Sequence, residues 1–340
     1  MRVGLTYNLK RGEPEEGQEP PSSSREAQAE WDEPETVHAV IDAIRERHEV
    51  LPIDAAEDPY NALREARPDI VFNMAEGTFG PCREGHIPSI LEFLNIPYTA
   101  SDPLTLSVCL DKSRAKEILA YHALPTARFR VVSSVEPSFN TLHFPLMVKP
   151  LFEGSSMGIR NDSVVQTHQE LHAKVEWVVR RFHQPAIVEE FLSGREFTVA
   201  ILGNGVEARA LPMVEVRFDS LPAGVNPIYS YEAKWVWDQS SKPLEIFSCP
   251  AKIDEKLRAA IERICLEAYR ILRCRDWCRI DVRLDSANRP HILELNPLPG
   301  ILPRPEDNSC FPKAARAAGM SYNQLINEVL DIACRRYGIS

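Results

Sequence analysis

The sequence lacks any long apolar run and any excess of positive charge. No stretch of its 340 residues approaches the roughly 20 uncharged apolar residues that cross a bilayer, so a membrane span is excluded. Lys and Arg number 39 against 49 Asp and Glu, and the resulting net charge of −10 excludes a general nucleic-acid binder. A small anionic ligand remains compatible, because it needs only a local cluster of Lys, Arg and backbone N–H groups.

The eight cysteines show no paired spacing, and residues 1–10 alternate like a short strand, without the apolar segment of a signal peptide. We therefore expect reduced thiols and a cytoplasmic protein. The hydrophobic fraction of 44% and the charged fraction of 26% are ordinary for a globular chain, which excludes disorder throughout. This length predicts two or three domains.

Strand and helix patterns alternate over the first hundred residues, which predicts an α/β domain with a parallel sheet. The predicted strands are 2–7, 50–53, 69–73 and 96–99, and the predicted helices are 35–48 and 87–94. The segment 12–33 between the first strand and first helix is rich in Glu, Pro, Ser and Gln. That composition favours a mobile solvated loop, with a lid or a substrate loop as the alternative.

A hairpin near the end of the chain carries the sharpest local signal. In residues 279–285 and 291–296 the period-2 rule puts Asp281 on one strand face, and Glu294 and Asn296 on one face of the other strand. If the strands pair, these side chains converge as hard oxygen ligands of the kind that Mg²⁺ prefers. A solvated polar sheet face is the alternative.

A second signal lies where a predicted strand, 146–149, runs into a Gly- and Ser-rich loop at 153–158. Small residues let backbone N–H groups approach phosphate oxygens, and Lys149 at the strand end supplies positive charge. The loop is not a P-loop, and by itself it could be an ordinary turn. Residues 221–243 lack regular patterning, which predicts a long functional loop.

Taken together, these motifs and their order resemble the D-alanine–D-alanine ligase family of ATP-grasp enzymes. The resemblance covers roughly residues 87–335 and rests on eight short motifs: Asp111-Lys112, Val148-Lys149-Pro150, Glu153–Gly158, 188–196, Tyr231-Glu-Ala-Lys234, Arg279-Ile-Asp281, Glu294-Leu-Asn296 and Pro299-Gly300.

The resemblance implies an ATP site and a two-Mg²⁺ site, in which Mn²⁺ could replace Mg²⁺. It implies that Asp281, Glu294 and Asn296 bind the metal ions. The residues that it implies for ATP are Lys112, Lys149, Ser155, Ser156, Glu189, Glu190, Leu192, Glu196 and Lys234. Arg279 and the Gly300 amide resemble the pair that stabilises the tetrahedral intermediate, while Ser155 and Lys234 are implied in catalysis and Ser309 lies near a substrate carboxylate.

The resemblance fails in the first domain. The family's Gly-Gly-x-Ser-x-Glu run after the first strand, whose Glu holds the amino group of the first D-alanine, is absent from residues 4–12. The family's His-Gly-x-x-Gly-Glu-Asp-Gly segment is also replaced, and Trp235 stands where the family has Tyr. Candidates for an altered substrate pocket are therefore Glu76, Arg83, Glu84, His86 and Trp235, although helix-capping and surface roles are equally compatible for the first four.

The sequence thus predicts a three-part ATP-grasp architecture: an N-terminal α/β domain (1–105), a central subdomain (106–188) and a C-terminal catalytic subdomain (189–340). The leading function is ATP-dependent ligation of a small amino-acid-like carboxylate to an amine through an acylphosphate, either as a D-alanine–D-alanine ligase or with altered first-substrate specificity. Non-catalytic ATP binding and ATP-dependent carboxylation with a biotin partner are the alternatives. No nucleic-acid or membrane partner is expected, and the resemblance suggests a homodimer.

Overall fold

The structure is a computed structural model, and it describes residues 1–10, 28–134, 141–238 and 244–339. Within these residues no helix is long and apolar enough to cross a bilayer. The helices are α1 (Pro34–Arg45), α2 (Pro59–Ala66), α3 (His86–Phe93), α4 (Pro103–Leu110), α5 (Lys112–Tyr121), α6 (His168–Phe182), α7 (Glu255–Ile271), α8 (Cys310–Ala317) and α9 (Tyr322–Tyr337).

The strands form three sheets. In chain order they are β1 (Arg2–Tyr7), β2 (Glu49–Asp54), β3 (Ile70–Asn73), β4 (Phe129–Val132), β5 (Leu146–Pro150), β6 (Val164–Val165), β7 (Ala186–Glu190), β8 (Glu196–Leu202), β9 (Arg209–Ala210), β10 (Val214–Val216), β11 (Phe247–Ser248), β12 (Trp277–Leu284) and β13 (Pro290–Asn296).

The N-terminal sheet confirms the predicted α/β fold. It is parallel with strand order β2-β1-β3, and α1 buries its periodic apolar face against it. Helix α9 returns to the same core, where Asn327 donates to the Ala43 carbonyl at 2.7 Å. The predicted strand at 96–99 is reduced to a single bridge between Val71 and Tyr98, because the chain runs beside β3 there for one residue only.

The other two sheets are antiparallel, and each packs its apolar side chains against a helix, α6 or α7. One has the order β4-β7-β5-β6, and the other has the order β11-β10-β8-β12-β13 with β9 also paired to β8. Helix α6 starts with a capping box in which Thr167 and Glu170 satisfy each other's backbone N–H groups. The turn at the end of β5, the end of β7 and the hairpin β12-β13 place the predicted motifs around one space.

The prediction of an irregular segment at 221–243 is wrong in one part. Residues 231–237 are helical, and Ala233–Trp237 form a π-helical turn in which the Asp238 N–H donates to the Ala233 carbonyl at 3.1 Å. Turns of this kind are rare in proteins, and those that occur often lie at functional sites. The rest of 221–238 has no helix or strand, and 239–243 lie outside the described residues.

Candidate active site

A cavity of about 640 Å³ is lined by strands of the two antiparallel sheets and by residues that follow β1 and β3 of the N-terminal sheet. Its wall contains every residue that the sequence analysis proposed for ATP, metal or catalysis, together with Glu76, Glu84, Trp235 and Ser309. Two further candidates do not face this space: His86 is exposed, and Arg83 is buried behind the wall. The C-terminal end of the acidic segment also reaches the cavity, through residues 29–33.

The hairpin pairs as the period-2 rule predicts. Asp281 lies opposite Glu294 and Arg279 opposite Asn296, and the register then shifts by a bulge between Asp281 and Val282. The Asn296 amide donates to Asp281 Oδ2 at 3.3 Å. Thr198 on β8, which the sequence analysis missed, donates to Asp281 Oδ1 at 2.8 Å and orients that carboxylate.

Charge at the hairpin is balanced by cations on three sides. Burial raises the pKa of Asp281, partly offset by Arg279, whose guanidinium lies 3.0 Å from Asp281 Oδ2. Burial also acts to raise the pKa of Glu294, but Lys112 at 3.7 Å, with Lys149, outweighs it and holds that pKa below its usual value. The hairpin therefore presents a charged carboxylate to the cavity at neutral pH.

No cluster of three His, Cys, Asp or Glu side chains able to hold a metal occurs in the described parts of the chain. The hairpin instead offers two carboxylates and one amide. That all-oxygen donor set fits Mg²⁺, which keeps several water or phosphate oxygens beside one or two carboxylates.

The Gly- and Ser-rich loop is fixed from two sides. Ser155 and Ser156 both have positive φ, +48° and +60°, a left-handed conformation that is costly for residues other than glycine. Ser156 Oγ donates to the Tyr229 carbonyl at 2.8 Å, and the Trp235 indole donates to the Ser155 carbonyl at 3.1 Å. Lys112, from the first turn of α5, donates to the Glu153 carbonyl. The loop thus lies with Lys112 and Lys149 on one side and the segment that carries Lys234 on the other.

Strand β7 supplies two of the residues implied for ATP, and both of their carboxylates have partners within the protein. Glu189 is 2% exposed and contacts two lysines, while Glu190 Oε1 accepts from the His143 N–H at 3.1 Å. Glu196, also implied for ATP, accepts from Arg283 at 2.8 Å, an arginine that had no predicted role.

The catalytic end of the cavity combines Lys234, Arg279 and the turn at Gly300. Burial, and then the nearby Arg279 charge, lower the pKa of Lys234 to about 8. Ser309 Oγ donates to the Gly300 carbonyl at 3.1 Å and accepts from the Leu302 N–H, which holds this turn. A Cβ at Gly300 would meet nothing within 4 Å, so the backbone there faces open space.

The N-terminal end of the cavity is lined by carboxylates. Glu30 forms a buried ion pair with Arg83, at 2.7 Å, and Arg83 also donates to the Phe152 carbonyl at 2.9 Å. Burial, together with the neighbouring acids, raises the pKa of Glu76 well above its usual value and that of Glu84 to about 8. Nothing in the sequence marks Glu30 among the many acids of segment 12–33, so it was missed.

Two antiparallel sheets around a nucleotide-sized cavity, with lysines facing a carboxylate hairpin, define an ATP-grasp fold. Solved structures agree: this chain matches the D-alanine–D-alanine ligase from Bacillus anthracis, in a crystal structure complexed with ATP, with a TM-score of 0.73 and 22% identity over 99% of both chains. A second structure of that ligase gives a TM-score of 0.75.

Sequence relatives narrow the class to one family. Residues 117–331 match the family model described as D-ala D-ala ligase C-terminus. The D-alanine–D-alanine ligase of Bordetella pertussis is 37% identical over 286 residues, covering 83% of this chain and 84% of the relative. An uncharacterized protein, y4sG of Sinorhizobium fredii, is 35% identical over 316 residues and covers 90% of both chains. The chain belongs to the D-alanine–D-alanine ligase family.

Proposed function

We propose that this chain is an ATP-dependent ligase that joins a small amino-acid-like carboxylate to an amine through an acylphosphate. One observation carries the proposal: the oxygen donors of the hairpin, three lysines and Arg279 face one cavity. A carboxylate is a poor electrophile, and this set of charges suits its activation by phosphoryl transfer.

The residues present fit ATP and Mg²⁺. The proposed metal ligands are Asp281, Glu294 and Asn296, which supply the oxygens that Mg²⁺ prefers. Mg²⁺, when bound, would add positive charge on phosphate oxygens. Lys112, Lys149 and the Ser155–Ser156 loop are the proposed phosphate ligands, and the wall formed by Glu190, Leu192 and Glu196 takes the nucleoside.

In the first step a substrate carboxylate oxygen attacks the γ-phosphorus of ATP, the bond to the β-phosphate oxygen breaks, and ADP leaves. Lys234 donates toward the γ-phosphate from its π-helical turn and also reaches Ser155 Oγ at 3.3 Å. The chain's own work in this step is to position the reactants and neutralise charge.

In the second step the amine nitrogen attacks the acyl carbon, phosphate leaves, and the nitrogen loses a proton. Arg279 and the Gly300 N–H are the proposed donors to the oxyanion that forms during this attack. The segment 221–238 covers the cavity through Tyr229 and Trp235, and it would keep water away from the acylphosphate.

We propose in addition that the first substrate differs from that of an ordinary D-alanine–D-alanine ligase. Its ammonium would lack the carboxylate that follows the first strand in the family, which costs about 1.5–3 kcal/mol of binding for a charge-assisted hydrogen bond. Glu76 and Glu84 are the proposed replacements, beside the ion pair of Glu30 with Arg83 and the indole of Trp235. A bound ammonium would favour their ionised forms and so oppose the burial that raises their pKa values. Residues 29–33, at the end of the acidic segment, would then form part of this pocket, while the prediction of a mobile loop or a substrate loop at 12–27 lies outside the described residues.

The domain division at 105 and 188 also belongs to the proposal. The strands of the three sheets lie within 2–73, 129–190 and 196–296, which supports the division at 105, whereas 188 falls inside β7 and the second sheet ends at residue 190. We propose a homodimer working in the cytoplasm, as the family resemblance implies. Sedimentation velocity of the purified chain measures the oligomeric state.

The test is ADP release by the purified chain with ATP, Mg²⁺ and pooled D- and L-amino acids and simple amines, followed by mass spectrometry of the product. We expect ADP release that depends on an amino acid, and a product whose mass equals acid plus amine minus water. ATP binding without any product would contradict the proposal and favour a non-catalytic nucleotide-binding protein.

The same assay tests the altered substrate. We expect kcat/KM for D-alanine to be at least about tenfold below that for the best amino acid of the panel. Glu76→Gln or Glu84→Gln should lower kcat/KM for that amino acid, whereas Glu65→Gln, an exposed residue on α2, should not. Efficient D-alanyl-D-alanine synthesis with both variants silent would contradict the altered pocket.

A further inference from the structure

A second buried lysine lies directly behind Lys149. Lys116 follows Lys112 by four residues on α5, so both project from the same helix face. Its Nζ lies 2.8 Å from Glu189 Oε1 and donates to Thr126 Oγ1 at 2.6 Å. Glu189 Oε2 in turn lies 2.5 Å from Lys149 Nζ. The three side chains form a row, Lys116–Glu189–Lys149, and only the last two reach the cavity wall.

The row carries one net positive charge. Although Glu189 is buried, its two lysine partners hold its pKa at about 2, so the carboxylate is ionised. Two ammonium groups and one carboxylate leave an excess charge of one, and Lys149 is the end of the row that faces the cavity.

Lys116 therefore affects how strongly Glu189 pairs with the ammonium group of Lys149, and so how readily that ammonium group can contact a ligand. With Lys116 present, Glu189 divides its two oxygens between two cations. Without it, the carboxylate would have Lys149 as its remaining ammonium partner, and the row would be neutral. A buried charge that loses a partner draws the remaining cation toward itself.

We propose that Lys116 is a positioning residue for nucleotide binding: by holding Glu189, it leaves the ammonium group of Lys149 available to the phosphates of ATP. The inference rests on the proposed function in taking ATP as the ligand. It adds a residue outside the cavity, whose effect on the nucleotide passes through Glu189.

Calorimetric titration of the full chain with ATP and Mg²⁺, without amino acids, tests this role. We expect Lys116→Met to weaken ATP binding by about tenfold to a hundredfold, the range of a charge-assisted hydrogen bond. Once Glu189 is neutral, Lys116 should be dispensable. Glu189→Gln and the double variant Lys116→Met with Glu189→Gln should therefore bind ATP with the same affinity, within about twofold.

Lys174 offers a matched control. It is a lysine of similar burial on α6, its Nζ lies 2.6 Å from Asp162 Oδ1, and it does not line the cavity. Lys174→Met should bind ATP like the wild type. A loss of affinity that occurs only in Lys116→Met then cannot be explained by the removal of a buried lysine in general.

The outcomes separate the inference from the function on which it rests. A folded Lys116→Met that binds ATP like the wild type would overturn the role of Lys116. The role would also be overturned if the double variant bound ATP more weakly than Glu189→Gln by about tenfold to a hundredfold. This comparison remains decisive if Lys116→Met does not fold. Failure of the wild type to bind ATP would overturn the proposed function itself.

Discussion

At the residue scale, the chemistry depends on a few charged side chains whose surroundings change their properties. The period-2 rule was enough to predict that Asp281, Glu294 and Asn296 converge, since strand geometry alone puts them on shared faces. Thr198 and Glu30 could not be predicted this way, because each reaches the site through a partner distant in sequence. Period 2 put Arg283 on the same face as Asp281, but it could not predict Glu196 as its partner. Lys116 had a usable signal, its spacing of four from Lys112, but no pattern shows that its partner would be Glu189.

Lys234 gives the activity a predictable dependence on pH. Burial and Arg279 lower its pKa to about 8, while Glu30, Cys310 and Asp281 act to raise it. The ammonium is therefore charged below pH 8 and loses its charge as the pH rises through that value. We expect kcat/KM for ATP to fall between pH 7 and 9 with an apparent pKa near 8.

Lys234→Arg is the check on this assignment, since a guanidinium stays charged throughout that range. In this variant the fall near pH 8 should disappear, even if activity is lower at every pH. A profile with the same fall in both proteins would show that another group titrates.

Arg279 and Lys149 should affect different steps. In the proposed mechanism Lys149 would contact phosphates already present in the bound nucleotide, whereas Arg279 would face charge that develops during amide formation. We expect Lys149→Ala to raise the KM for ATP, and Arg279→Ala to lower kcat by about a hundredfold to a thousandfold.

Steady-state rates of product formation over a range of ATP concentrations measure both effects. Arg289→Ala is the matched control, since this arginine lies on the same hairpin with a largely exposed side chain. An Arg279→Ala variant in which only the KM for ATP changes would contradict its role at the oxyanion.

At the element scale, the hairpin β12-β13 does most to define the site. Its alternating residues predicted the pairing, but alternation carries no signal for the bulge after Asp281, where the consecutive residues Asp281 and Val282 lie opposite Glu294 and Ile292. The π-helical turn Ala233–Trp237 was missed for a similar reason: its sequence has no helical periodicity, and contacts of Lys234 and Trp235 with Ser155 hold it.

The three oxygen donors of the hairpin can be tested as a group. Asp281→Asn, Glu294→Gln and Asn296→Ala should each lower turnover at least about a hundredfold, since a metal at this site would stabilise the transferring phosphate by several kcal/mol. Because the side chains face the cavity, the melting temperature should change by only a few degrees.

Turnover and thermal unfolding of each variant, measured over a range of Mg²⁺ concentrations, check this expectation. Glu207→Gln, an exposed residue in a turn, is the control. Wild-type ADP release by all three hairpin variants would remove the metal site from the account.

At the scale of the whole molecule, the parts of the chain differ in how far the sequence predicts their function. From about residue 87 onward, short motifs in a fixed order predicted the residues of a nucleotide site, and the family model covers 117–331. In the first domain, periodicity predicted the parallel sheet but not the pocket. That pocket is completed by Glu30, which a bridge between Leu9 and Asp32 brings back to the end of β1.

In the proposed reaction ATP phosphorylates a substrate carboxylate, and the amine then displaces the phosphate. The decisive experiment uses the best amino-acid substrate with ¹⁸O at both carboxylate oxygens, ATP, Mg²⁺ and an unlabelled amine substrate, with mass spectrometry of the released phosphate and of the product. We expect one ¹⁸O atom in each phosphate and one ¹⁸O atom in the carbonyl of each new amide bond. Phosphate that carries no label while product forms would contradict the acylphosphate and with it the proposed function.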